Sequence, residues 1–204
     1  MTAANFIHKP DHTRLPRSDK ELSGAKWAQQ FPGGTRISDL AGTFRHAVDD
    51  FVCAMTEAGI KVKIDATYRP FPRSYMMHWS WRIVNDGVDP ATIPAMAGVE
   101  IEWQHPTSAA SLKAANDMVD ALSIRRLRTQ PALRSQHNLR LAIDMSLSWS
   151  GTVSVMDASR RLIHIASLPR TGMNRQLIEI GATYGVKKYV GGSKDVPHWS
   201  NNGR

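Results

Sequence analysis

The run Leu141–Trp149 alternates without a break. Leu141, Ile143, Met145, Leu147 and Trp149 fall on one side, Ala142, Asp144, Ser146 and Ser148 on the other. A period of two fits only an extended strand. A strand that is apolar on one face alone belongs in a sheet covered on that face and open on the other. Ile60–Arg69 repeats the pattern, with Ile60, Val62, Ile64, Ala66 and Tyr68 opposite Lys61, Lys63, Asp65, Thr67 and Arg69. Val99, Ile101 and Trp103 alternate with Glu100, Glu102 and Gln104, a third strand. Thr152–Met156 and Leu162–Ala166, around Asp157-Ala158-Ser159, read as a hairpin, and Lys187–Val190 as a short last strand.

Between these runs the apolar period changes to that of a helix. Ser38 or Asp39 can cap a helix reaching Ala58 and stopping at Gly59, with Phe44, Val48, Phe51, Val52 and Met55 as its buried stripe. Pro70 and Pro72 end the first strand, and Pro72 suits the opening turn of a helix through Val84, closed by Asn85-Asp86-Gly87. Thr107 or Ser108 opens a helix with Leu112, Ala115, Met118, Val119 and Leu122 inward, and Asn174 caps another through Ala182. The order predicts an α+β fold, a small antiparallel sheet with flanking helices.

A chain of 204 residues suggests one domain, and 42% hydrophobic content is enough for a core. Residues 1–36, rich in Pro, Gly and charge up to Phe31-Pro32-Gly33-Gly34, read as an irregular arm, leaving 37–204 as the domain. No run has the apolar length of a membrane span. Met1–Arg17 lacks the apolar segment of a secretory signal, which predicts a protein left in the cytoplasm unless something else moves it. Cys53 stands alone, so no disulfide closes within the chain. The net charge of +8 favours an acidic partner. Nucleic acid is one candidate, with Arg125-Arg126-Leu127-Arg128 as its basic patch. A bacterial wall rich in carboxylates and phosphates is the other. No nucleic-acid motif accompanies the charge.

Two stretches carry the chemistry: Ser135-Gln136-His137 with Asp144, and Asp195-Val196-Pro197-His198-Trp199. His137, Asp144 and His198 offer two imidazoles and a carboxylate, the ligand count of a catalytic zinc site with one position left over. On one helix His137 and Asp144 would stand about 10 Å apart, too far for one ion. The spacing works if His137 lies on a loop folding back beside the strand of Asp144. Pro197 keeps Val196 extended, so Asp195 and His198 share a short fixed segment. Asp195 is then placed as a general base. Arg69, on the polar side of its strand, is a candidate for holding an oxyanion or a substrate carboxylate. Ser135 and Trp199 are expected to line the cleft.

Each residue alone has a plainer reading. A lone His or Asp is usually a hydrogen-bonded loop residue, an acid before Pro is common turn chemistry, and Arg69 can simply pair with Asp65. His46 and His164 read as surface or strand residues, and His78 as a core-facing helix residue bordering the cleft at most. Gly191-Gly192-Ser193-Lys194 lacks the strand–loop–helix context of a phosphate loop and reads as a flexible approach to Asp195.

The joint pattern Ser135-x-His137-x6-Asp144, then Asp195-x-Pro197-His198-Trp199, resembles the zinc peptidases of the D-alanyl-D-alanine carboxypeptidase and L-alanyl-D-glutamate endopeptidase family, peptidase family M15. Tyr68-Arg69 is similar to that family's Tyr-Arg segment, and the resemblance spans roughly residues 60 to 204. Arg140 stands where the family's pattern has Gly. The resemblance implies a Hedgehog/DD-peptidase-like fold, one Zn2+, and a monomeric hydrolase acting on the peptidoglycan stem peptide. The Asp-x-Pro-His form is similar to the L-alanyl-D-glutamate branch, which includes phage endolysins. A non-catalytic zinc-binding wall module on the same fold is the alternative, and a basic nucleic-acid-binding protein a third.

Overall fold

The computed structural model describes residues 20–204. Residues 1–19 of the expected arm, with His8 and His12, lie outside it. Within the described part of the arm, β1 (Glu21–Leu22) and a single helical turn, α1 (Trp27–Gln30), are formed, and Trp27 and Ala28 are buried. This part of the arm therefore packs against the domain.

The elements follow in mixed order. They are α2 (Gly42–Glu57), β2 (Lys61–Ala66), α3 (Phe71–Asp86), β3 (Ile101–Glu102), α4 (Ser108–Ala121), β4 (Ala142–Ser148), β5 (Val153–Met156), β6 (Leu162–Ile165), α5 (Arg175–Thr183), β7 (Lys187–Lys188) and β8 (His198–Ser200). The main sheet has the order β2-β4-β8-β7 and is antiparallel at every pairing. β5 and β6 form the expected hairpin. The fold is α+β, as the alternating and helical periods require.

One face of the sheet is covered. Ile143, Met145, Leu147 and Trp199 join Phe44, Val48, Phe51 and Met55 of α2, Val155 and Ile165 of the hairpin, and Leu177 and Ile180 of α5 in one apolar cluster. A second cluster joins Trp27, Tyr75, Met76, Ile101, Trp103, Ala115, Met118 and Val119 from α1, α3, α4 and the β3 region. The other face of β4 keeps Asp144, Ser146 and Ser148.

Local chemistry explains several boundaries. Thr107 Oγ1 accepts the Ala110 N–H at 3.1 Å and Asn174 Oδ1 accepts the Leu177 N–H at 3.2 Å, the expected caps of α4 and α5. α2 starts at Gly42 rather than at Ser38 or Asp39. The Asp39 carboxylate instead accepts the Arg36 N–H at 2.9 Å and closes a separate 3-10 turn, Ile37–Asp39. Leu112, expected inward, is 47% exposed. Ser111 is buried in its stead, its Oγ accepting the His105 N–H at 2.9 Å, while Ala115, Met118, Val119 and Leu122 face inward as expected. The expected strand over 99–104 shrinks to β3 and pairs in parallel with β1, outside the main sheet. Lys187–Val190 forms only two strand residues, and its partner β8 is a strand that periodicity did not announce.

The alternation of β2 breaks at a bulge between Ile64 and Ala66, where Met145 pairs with Ile64 but Asp144 with Ala66. The extra residue turns the chain after Ala66 and shifts the parity read from the sequence. Thr67 is fully buried as a result.

Candidate metal centre

His198 and Asp144 are direct cross-strand partners on β8 and β4, so their side chains leave the same face of the sheet. His137 sits on a 3-10 turn, Gln136–Leu139, beside them. This turn is the expected fold-back, and it is held at both ends. The His137 carbonyl accepts the Arg69 N–H at 3.1 Å, while Asn138 Nδ2 donates to the Arg69 carbonyl and to Ser74 Oγ, each at 2.8 Å. The Ser135 N–H donates to Asn138 Oδ1 at 2.7 Å. Arg140 closes the turn in the left-handed region, φ 63° and ψ 29°.

The three side chains converge on one point. His137 Nε2 lies 3.2 Å from Asp144 Oδ1 and 3.1 Å from His198 Nδ1, and the last pair, His198 Nδ1 to Asp144 Oδ1, is 3.2 Å. All three groups are withdrawn from solvent. Atoms bound at about 2.0–2.1 Å around a tetrahedral ion stand about 3.3 Å apart, so the triangle has the size of one face of such a shell.

The tautomers point the same way. His137 Nδ1 is 2.6 Å from the Thr67 carbonyl, and His198 Nε2 is 3.2 Å from the Arg204 carbonyl. Carbonyl oxygens only accept, so each ring carries its proton on that nitrogen and turns a lone pair inward. Two nitrogen lone pairs and a carboxylate oxygen then face each other at contact distance. A cation at their centre satisfies all three together. The group could hold a metal ion. Burial works against the Asp144 charge; where the facing nitrogens of His137 and His198 carry protons instead of sharing an ion, their hydrogen bonds and charge hold its carboxyl well below the usual carboxylate range.

Asp195 Oδ2 stands 4.0 Å from His198 Nδ1 and its side chain is half exposed. Among the described residues it does not join the three-residue group. Burial and the neighbouring Asp144 charge push its carboxyl up, against the pull of His198, His137 and Arg69. Burial lowers the Arg69 guanidinium, while Asp144 and Asp195 raise it, so Arg69 lies within electrostatic reach of both carboxylates. It arrives there through the bulge and the turn after β2 rather than by simple alternation.

One expected cleft residue sits elsewhere. Trp199 is 0% exposed and packs on Phe51 with ring centroids 5.6 Å apart, in the core. As the strand neighbour of His198 it must face the opposite side of the sheet. The Ser135 hydroxyl is buried with no hydrogen-bond partner among the described residues, and solvent does not reach it. Conversely, Tyr189 was not read from the sequence as a site residue. Its ring meets His198 edge-on at 5.7 Å between centroids. Gly191 follows because a Cβ there would lie 2.3 Å from the Tyr189 ring. His78 is a core residue, its Nδ1 2.8 Å from the Pro131 carbonyl. The Gly191–Lys194 stretch forms a 3-10 turn at Gly192–Lys194 leading to Asp195.

A cleft of about 250 Å³ is lined by Asp65, Ser146, Leu147, Thr171, Val196 and Pro197. Its lining comes from β2, β4, Thr171, Gly172 and the segment between Asp195 and His198, and none of His137, Asp144 and His198 lines it. No protein-family model matches the chain, and no curated protein matches it.

Proposed function

We propose that the chain is a zinc-dependent peptidase that hydrolyses a bond in the peptidoglycan stem peptide, on a Hedgehog/DD-peptidase-like fold. The observation that carries this reading is the buried triangle of His137 Nε2, Asp144 Oδ1 and His198 Nδ1, 3.1–3.2 Å on each side, with Asp195 and Arg69 beside it. Two imidazoles and one carboxylate, without Cys, suit zinc in a site that keeps a position open for catalysis. The residue pattern resembling the L-alanyl-D-glutamate branch favours that bond over D-alanyl-D-alanine, and favours a phage or prophage lysis enzyme that meets the wall after release.

A zinc ion held there would polarise the scissile carbonyl and bring the pKa of water to about 7. Asp195, which stands outside the three-residue group, takes the proton of the attacking water and returns it to the leaving amine. Arg69 offers a planar cation to the oxyanion or to a substrate carboxylate.

Elemental analysis should find one zinc per chain, lost in the His137→Ala, His198→Ala double variant. Mass spectrometry of muropeptides after digestion should then report cleavage and the bond. Asp195→Asn should keep zinc and lose about 100- to 10,000-fold in rate. Zinc binding without turnover on any wall would leave a non-catalytic module. Full activity without metal would sink the reading altogether.

A further inference from the structure

We infer that Ser200 and the residues that follow it form a hook whose task is to position His198 as a metal ligand, making Ser200 a positioning residue of the centre. The inference rests on reading His137, Asp144 and His198 as a metal site.

The contact that matters is the one from His198 Nε2 to the Arg204 carbonyl, 3.2 Å. It sets the proton on Nε2 and so leaves Nδ1 free to face His137 and Asp144. That carbonyl lies beyond the end of β8, so no strand ladder places it. Ser200 does. Its hydroxyl accepts the N–H of Gly203 at 2.9 Å and of Arg204 at 3.0 Å, and donates to the Arg204 carbonyl itself at 3.0 Å. Ser200 is 0% exposed, so these bonds have no competition from water. Asn202 Oδ1 adds a second acceptor for the Arg204 N–H at 3.0 Å.

The hook is also tied to both neighbouring strands. The Asn201 N–H donates to the Leu141 carbonyl at 3.1 Å, just before β4, and the Gly203 carbonyl accepts the Val190 N–H at 2.9 Å, just after β7. Gly203 has φ 78°, and a Cβ there would stand 3.0 Å from the Lys188 carbonyl and 3.2 Å from Val190 Cγ1. The turn is thus seated by its neighbours and closed by Ser200. Its product, as far as the centre is concerned, is one fixed carbonyl behind one imidazole. Partners of this kind fix the ring's tautomer and orientation, and losing one typically weakens metal binding about 10- to 100-fold.

The test uses the full chain, stripped of metal and titrated with zinc against a chromophoric chelator well below its melting temperature. Wild type should bind one zinc. Ser200→Ala should bind it about 10- to 100-fold more weakly. The cobalt-substituted variant should show an altered ligand-field spectrum, and the metal-free variant should melt close to metal-free wild type. A role in folding alone would lower that melting temperature and leave affinity and spectrum unmoved, which overturns the inference. Should Ser200→Ala fail to fold, Asn202→Ala takes its place, with a smaller loss of affinity expected and none overturning the inference. If wild type itself binds no zinc, the metal reading has failed and the hook with it. If wild type binds and the variants bind equally well, only the hook has failed.

Discussion

Arg140 shows how a single residue can carry a strained conformation and be compensated for it. A non-Gly residue in the left-handed region costs about 1–2 kcal/mol. Against this, the Arg140 guanidinium lies 4.0 Å from the centre of the Tyr68 ring, and Nη1 donates to the Asp39 carbonyl at 3.1 Å. A cation–π contact of this kind and one hydrogen bond are each worth about 1 kcal/mol. Arg140→Gly removes the strain and both contacts together, so its stability should stay within about 1 kcal/mol of wild type. Arg140→Ala keeps the strain and loses the contacts, so it should melt several degrees lower, at about 2–4 °C per kcal/mol for a chain of this size. Thermal scans of the two variants decide it. An alanine variant as stable as the glycine one would mean the contacts contribute nothing. On the proposed reading, Arg69 is the functional counterpart. Its backbone N–H and carbonyl hold the His137 turn, and these bonds survive truncation of the side chain. Arg69→Ala should therefore melt near wild type and bind zinc normally, yet cleave at least about tenfold more slowly, given the worth of oxyanion donors. Rate and melting temperature falling together would make Arg69 a structural residue.

At the scale of elements, what was legible followed from period, and what was hidden followed from contacts between distant segments. The β4 alternation, the α4 and α5 caps and the hairpin are local statements that the structure keeps. The bulge at Ile64–Ala66 is not local, because it exists only where β2 meets β4. The same holds for Gly34. A Cβ there would lie 2.4 Å from Asp39 Oδ2 and 2.8 Å from Thr67 Oγ1, and its N–H and carbonyl bond Tyr68 and Thr67. An arm that reads as irregular thus braces the segment whose carbonyl holds His137. The trio of His137, Asp144 and His198 could be read from residue types, their order and the resemblance they carry. The opposite facings of His198 and Trp199 needed β8 to be known as a strand. Lys188 is a further case. Nothing in Lys187-Lys188 marks the second as buried, yet it stands opposite Trp199, with its Nζ 4.6 Å from that ring and bonded to the Val196 carbonyl. Burial lowers its ammonium to about 8, against the raising charges of Asp195 and Asp144. A lysine whose folded pKa lies below its unfolded value binds fewer protons folded than unfolded. Stability should then rise between about pH 8 and 10.5 as the unfolded chain gives up the proton that the folded chain has already lost. Lys188→Met should flatten that rise relative to wild type in urea titrations across the window. An unchanged difference in slope would show that Lys188 is not the group responsible.

For the whole molecule, the centre adds a tie between parts that each build their own apolar cluster. His137 sits on the turn bonded to Ser74 of α3, whose side chains build the second apolar cluster. Asp144 and His198 belong to strands whose other face builds the first. An ion bound by all three residues therefore bridges both halves of the chain, and its binding energy becomes folding energy. A ligand present at about a thousand times its dissociation constant adds about 4 kcal/mol, which at about 2–4 °C per kcal/mol amounts to a melting shift on the order of 10 °C. Chelation should lower the melting temperature by about that amount, and added zinc should restore it. The loss should also be uneven. The triangle without its ion holds three electron-rich atoms at 3.1–3.2 Å, so the His137 turn and the segment after His198 should loosen first. The cluster formed by Val48, Phe51, Val155 and Leu177 rests on buried apolar surface and should not. Hydrogen exchange with and without chelator would map this directly. Faster exchange is expected at 136–141 and 198–204, with little change in α2, β5 and α5. A melting temperature indifferent to chelator, in protein shown to have released its zinc, would mean that the two halves need no metal to hold together.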